Sequence, residues 1–207
     1  MGSLFPFNTN WLRKAQTDVG PAIKSDLLSP VCFSPGSPAV SDDDRFVVSV
    51  DMKVGAYTLA QTTMPEAAIA RKLLITVTTD TGADTMGTLA IVGTDIAGNA
   101  ISETIAPVSA SSVETLNAFK TLVSITGVGW IIGGGAGTED AIKIGTSESL
   151  GLPDKLSDTA QVLCASLAAV KEATAPAVVV HATTLAKNTV NLNSALGGTA
   201  VKIYYLV

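Results

Sequence analysis

The chain has one histidine, His181, and two cysteines, Cys32 and Cys164, in 207 residues. That scarcity argues against a zinc-type centre, which draws three or four such ligands together. Aromatic residues make up 5% and charged residues 15%, against roughly 25% charged in an ordinary globular domain. A sugar cleft floored with rings is therefore poorly supplied, and the core has to be filled by Ala, Val, Ile and Leu. Cations are short as well: 13 Lys and Arg face 18 Asp and Glu, for a net charge of −5. Without a basic stripe to neutralise phosphates, nucleic acid is not an expected partner. No run of about 18 uninterrupted apolar residues occurs, so no membrane helix is expected. Residues 1–10 lack the basic cluster and apolar stretch of a secretory signal. Cys32 and Cys164 lie far apart in sequence and read as two unpaired, buried thiols acting as small hydrophobes; a long-loop disulfide is the alternative.

What is present is aliphatic. Hydrophobic residues make up 47%, enough to close the core of one domain of ordinary size or two small ones. Residues 1–45 stand apart. They hold Pro6, Pro21, Pro30, Pro35 and Pro38 together with Phe5, Phe7, Trp11 and Phe33. Proline at that density breaks ladders and helices, yet a solvated linker has no use for four rings. The segment reads as an extended N-terminal arm whose anchors, Phe5, Phe7, Trp11 and Phe33, dock on the chain's own core or on a neighbouring subunit. A short helix over residues 10–16 has Asn10 as its cap. Asp42, Asp43 and Asp44 form a polar break, read as a solvated turn in preference to a cation site.

From residue 46 the pattern is β. Strands are expected over residues 46–50, 57–60, 72–79, 87–94, 100–106, 118–128, 141–146, 175–183, 188–192 and 201–207, from alternation and β-branched content. Residues 161–169 are ambiguous between strand and helix. Asp95 to Asn99 reads as a hairpin connection, with Gly98 and Asn99 able to take positive φ. In the strand that follows, Ile101, Glu103 and Ile105 share one face. In residues 118–128, Phe119, Thr121, Val123 and Ile125 are expected to share one. Spacings of about 8–15 residues with turn signals between them predict an antiparallel β-sandwich or barrel-like domain with little helix. The body spans residues 46–153, and residues 154–207 form a C-terminal β section that packs on it or makes a small second subdomain.

Catalytic chemistry finds little footing. Gly133, Gly134, Gly135 and Gly137 lack the Lys-Ser/Thr that a phosphate loop requires. His181 follows Val178-Val179-Val180 with no nucleophile elbow nearby, since the residues around Ser147 do not spell G-x-S-x-G. Glu103 with Glu114, and Asp154 with Asp158, are conceivable carboxylate pairs without aromatic platforms. Asp95 and Asn99 are explained by turn chemistry, and their loop is too short to enclose calcium alone. The reading is no enzyme, no cofactor and no metal.

The strings LAIVGTDIAGNAISETIA, NAFKTLVSITGV and IKIGTSESLGLPDKL, in that order between Leu73 and Leu156, resemble a group of tailed-bacteriophage virion structural proteins. In those, a V-x-G-T-D-x-x-G-N-x-x-x-E-T-I hairpin precedes an F-K-T-V-x-S-I-T strand, a short G-T strand and a G-L-P turn. The stretch from Lys171 to Val207 is similar to the tail of such proteins. The resemblance covers roughly 130 residues and leaves out the N-terminal arm. It implies a structural protein of the phage particle, a capsid decoration (cement) or minor capsid protein of the head. Its partners would be the major capsid protein or other virion proteins and further copies of itself, as a trimer or other homo-oligomer. A head–tail connector or tail component is the alternative. An Ig-like surface module recognising glycan or protein is the reading from a different class.

Overall fold

A computed structural model describes residues 28–53, 55–79, 85–131 and 140–207. Within them run thirteen strands. In chain order these are β1 (Pro30–Gly36), β2 (Asp42–Asp51), β3 (Arg71–Thr78), β4 (Thr88–Thr94), β5 (Ala100–Ile105), β6 (Ser112–Phe119) and β7 (Thr121–Val128). They continue with β8 (Ala141–Gly151), β9 (Val162–Leu167), β10 (Val170–Lys171), β11 (Ala177–Val179), β12 (Thr189–Asn191) and β13 (Val201–Leu206). Two short 3-10 turns, Thr159–Gln161 and Leu185–Lys187, are the helical elements among the described residues. The expected fold class holds: the chain is mostly β, antiparallel and sandwich- or barrel-like.

The strands form three sheets. The first has the order β1-β13-β9-β10, the second β11-β12-β8-β3-β6, and the third β5-β4-β7. The long strand β8 is the spine of the second sheet. One of its edges carries β3, while the other is shared by β2, opposite residues 141–146, and by β12, opposite Leu150 and Gly151. Period-two alternation sorts the side chains. Leu73, Ile75 and Val77 of β3, Leu89 and Ile91 of β4, and Ile142 and Ile144 of β8 are buried in one aliphatic core with Phe46 and Phe119. A second core gathers Leu150, Leu152, Leu156, Val190, Val201, Ile203 and Tyr205 beneath the first sheet. Strand β8 therefore contributes to both, through Ile142 and Ile144 at one end and Leu150 at the other.

Several expectations shift. The arm expected over residues 1–45 does not reach residue 45: its described part contains β1 and the start of β2. Phe33 lies opposite Ile203 in the β1–β13 ladder, half-buried against the second core, so it docks in cis. The prolines fit because β1 is an edge strand. Pro30 opens it, and Pro35 falls between Phe33 and Gly36, where the register shifts. Phe5, Phe7 and Trp11, the short helix over 10–16, and the cluster Gly133–Gly137 lie outside the described residues. The strand expected over 118–128 is two strands, β6 and β7, that turn at Lys120. A register shift at Val92/Gly93 turns Leu122 and Ile125 inward and leaves Val123 67% exposed. Residues 57–60 form no strand, although Tyr57 N–H donates to Ile125 O (3.1 Å) along the edge of β7. The strand expected over 175–183 shrinks to β11. Both thiols are free, but Cys32 is exposed and Cys164 half-buried. They sit on either side of Tyr204, each directly opposite it in the ladder. Two strand spacings of about 4.8 Å hold them beyond the roughly 7 Å limit for a disulfide.

Candidate interaction surface

The β4–β5 hairpin is assembled by its own short sequence. Asp95 is 3% exposed. Its Oδ1 accepts from the N–H groups of Ala97 and Asn99 (both 2.9 Å), and its Oδ2 accepts from Asn99 Nδ2 (3.0 Å). The carboxylate thus satisfies three donors of the turn, as in an Asx-type turn, and the Asp95 main-chain carbonyl accepts from Gly98 N–H (3.0 Å). Gly98 takes φ +87°, a left-handed value that glycine adopts without strain. Gly93 lets β7 approach: a Cβ there would lie 2.1 Å from Thr121 O. At the far end Glu103 reaches across to β6, where its two carboxylate oxygens accept from the N–H groups of Leu116 (2.7 Å) and Asn117 (2.8 Å). Charge-assisted bonds of this kind are worth about 1.5–3 kcal/mol each.

With Glu103 turned inward, the outer face of the third sheet carries no charge. Strands β4, β5 and β7 read TLAIVGT, AISETI and TLVSITGV, and Glu103 is the one ionisable residue in them. The pleat sends Ala90 and Val92 of β4, Ala100, Ser102 and Thr104 of β5, and Ser124, Thr126 and Val128 of β7 outward. Val123, at the register shift of β7, and Val128 are 67% and 61% exposed. A face of small apolar and hydroxyl side chains suits shape-matched contact with another protein better than capture of a charged ligand.

A buried arginine ties the β1–β2 connection to the second sheet. Arg71, fully buried at the start of β3, donates to Ser147 O from Nε (2.8 Å) and Nη2 (2.5 Å) and to Ala39 O from Nη1 (3.0 Å). Its fork fills the bulge in β8 created by the register shift between Arg71 and Leu73. Burial lowers the guanidinium's pKa from its ordinary value, and the Glu66 and Glu148 carboxylates act against that. The same carboxylates bind the strap between β1 and β2: Glu66 Oε1 accepts from Ala39 N–H, and Glu148 Oε1 from Ser41 N–H (both 2.6 Å). Glu148 Oε2 also accepts from Leu196 N–H (2.7 Å). Nothing in the sequence around Arg71 marks it as central; its partners lie 32 and 76 residues away.

The remaining candidate residues are engaged in structural roles. His181 Nδ1 accepts from Thr184 N–H (3.0 Å), just before the turn at Leu185–Lys187. Glu114 pairs with Lys72 (3.8 Å) and accepts from Ser149 Oγ (3.3 Å), so Glu103 and Glu114 serve different contacts. Asp154 accepts from the Tyr205 hydroxyl (2.5 Å), whereas Asp158 caps Thr159–Gln161. Burial, with Asp154 adding to it, pushes the Tyr205 phenol up. Tyr57 donates to Met52 O (2.8 Å), and burial raises it from 10.0 to about 12. Asp42, Asp43 and Asp44 open β2 instead of forming a turn. Their carboxylate oxygens lie within 4.8 Å of one another, and Asp43 pairs with Lys143 (3.4 Å). A groove of about 400 Å³ between the start of β9 and β11 is lined by Thr159, Val162, Leu163, Pro176 and Val178 among others. It gathers no titratable side chain. No family model matches the chain, and neither a curated protein nor a solved structure matches it.

Proposed function

We propose that this chain is a structural component of a phage virion, a capsid decoration or minor capsid protein that stabilises the head through contacts between subunits. The reading rests on one observation. The residues through which the chain resembles phage virion proteins are spent, one by one, on building a hairpin. Gly93 allows a close approach, Asp95 and Asn99 satisfy the turn, Gly98 takes positive φ, and Glu103 ties β5 to β6. A motif used this way conveys architecture, and the face it produces is uncharged. Repetition in a symmetric shell turns weak contacts of such a face into firm attachment. The N-terminal anchors Phe5, Phe7 and Trp11 extend the contact to a neighbour, since a buried large side chain supplies roughly 1.5–3 kcal/mol.

The test is co-sedimentation of the protein with intact particles from infected cells. Copy number then separates a decoration, on the order of hundreds per particle, from a connector with about a dozen. Phe5→Ala, Phe7→Ala and Trp11→Ala together are expected to abolish incorporation while the protein stays folded. A protein found only free of particles refutes the reading. Truncation experiments should end at residue 27, because removing residues through 40 deletes β1 and bares the edge of β13.

A further inference from the structure

We propose that β5 is a self-association edge, which pairs antiparallel with β5 of a second copy across a two-fold axis. The hydrogen-bond phase of the hairpin locates the free groups. Asp95 N–H donates to Asn99 O (2.9 Å), and the register runs without a shift from Thr94↔Ala100 to Leu89↔Ile105. Bonded and non-bonded pairs alternate in an antiparallel ladder. Ile101, Glu103 and Ile105 therefore spend their backbone groups on β4, and Ala100, Ser102 and Thr104 aim theirs at the opposite edge. Among the described residues, no strand pairs with that edge.

The other sheet edges carry the protections natural proteins use against edge pairing. Strand β1 has Pro30, Pro35 and a register shift. The backbone of β6 is capped by Glu103. Along β7, residues 55–64 run as a strap, bridged at Ala56↔Thr126 and Thr63↔Thr121. Strand β2 opens with three aspartates and an arginine, and β10 and β11 are two and three residues long. By contrast β5 is six residues, without proline, lysine, arginine or bulge.

Its chemistry matches a second copy of itself. Antiparallel pairing centred on Ser102 sets Ala100 opposite Thr104 of the other molecule, and every outward backbone donor meets an acceptor. Glu103, whose charge would otherwise repel its own image, is already committed to β6. The product is a six-stranded sheet, β7-β4-β5-β5-β4-β7, whose outer face is continuous and uncharged. The edge alone buries much less than the roughly 1,200–2,000 Å² of a stable interface, so the isolated dimer is weak and gains strength in an array. The inference shares with the proposed function the premise that copies meet. Its readout is self-association of the purified protein, which succeeds or fails independently of recruitment to particles.

The experiment uses the full chain with Cys32→Ser and Cys164→Ser. In that background S102C places two thiols at a backbone separation of about 5.5 Å across the axis, within disulfide range, so mild oxidation should yield a covalent dimer. V108C, at a position that is 51% exposed beyond the strand's end, should not. Sedimentation of the wild-type chain from about 10 µM to about 1 mM, a range suited to a weak interface, should show a concentration-dependent dimer. S102P removes an outward N–H and leaves the β4 ladder whole. It should weaken that dimer at least about tenfold with an unchanged melting temperature. Cross-linking of S102C no better than V108C, a monomer throughout the range, or self-association indifferent to S102P overturns the proposal.

Discussion

Replacing Arg71 with methionine keeps an unbranched side chain in the same channel but removes the guanidinium. Three hydrogen bonds are lost, two to Ser147 O and one to Ala39 O. Ser147 is buried, and an unsatisfied buried acceptor there costs about 1–3 kcal/mol, whereas Ala39 is exposed and water can take over its carbonyl. Glu66 and Glu148 are half-buried and keep their backbone donors, so losing the favourable field of the cation adds a smaller cost. Methionine returns some packing, so the net expectation for R71M is a loss of about 2–4 kcal/mol. Against a typical total of about 5–15 kcal/mol that is a large share. With a urea slope of about 2–3 kcal/mol/M for a chain of this size, the midpoint should fall by about 1–2 M. Urea titration followed by both fluorescence and circular dichroism measures the shift and tests whether one transition remains. Glu148→Gln in the R71M background should cost less than the sum of the two single changes, because the stranded charge is then absent. A midpoint for R71M within about 0.3 M of wild type, or strict additivity in the double variant, refutes the view that this network fastens the β1–β2 connection to the second sheet.

Two further outcomes follow from local geometry. Gly145→Ala should be far more damaging than Gly98→Ala in paired thermal melts. A Cβ at Gly145 would lie 1.7 Å from Asp42 O, so β2 and β8 must separate, whereas Gly98 has φ +87° and nothing within 4 Å of its Cβ position. We expect more than about 3 kcal/mol for the first and about 1 kcal/mol for the second; equal losses would sink the argument. Stability should also fall at high pH. Tyr57 titrates near 12 in the fold against 10.0 ordinarily, so its contribution is complete below 10.0 and is lost as pH climbs toward 12. Tyr205 acts in the same direction. Urea midpoints measured with tyrosinate absorbance between about pH 9 and pH 12 should decline, and Tyr57→Phe should flatten the decline; an unchanged midpoint while tyrosinate forms contradicts it.

Local signals in the sequence carried the third sheet and failed elsewhere for identifiable reasons. The β4–β5 hairpin was legible because its alternation, its Asp95 and its Gly98 are all contained within residues 88–105; Ile101, Glu103 and Ile105 do share a face, and the structure makes it the inner one. Strand β1 was obscured by proline, which is tolerated there because only one edge of the strand is paired. Strand β6 was missed because Ser112–Phe119 buries residues irregularly, with Leu116 62% exposed and Thr115 buried. The facing of Val123 depends on a register shift in the β4–β7 pairing, which no single-strand pattern reveals. For the interaction surface, the uncharged composition of the strands was visible, but the freedom of the β5 edge depends on pairing partners. Arg71 was hidden for the same reason: a cation's burial is decided by carbonyls and carboxylates far along the chain.

The position of β13 governs when the molecule can be completed. It lies between β1 and β9, so the first strand described waits for residues 201–206 before its one ladder can close. During synthesis on the ribosome, the β4–β5 hairpin and its β7 neighbour can zip up from contacts of short loop length, but β1 and β9 cannot be joined until β13 has emerged. Pairings that span such distances form slowly. Until then β1 exposes Phe33 and an unsatisfied ladder, which leaves the nascent chain open to mispairing.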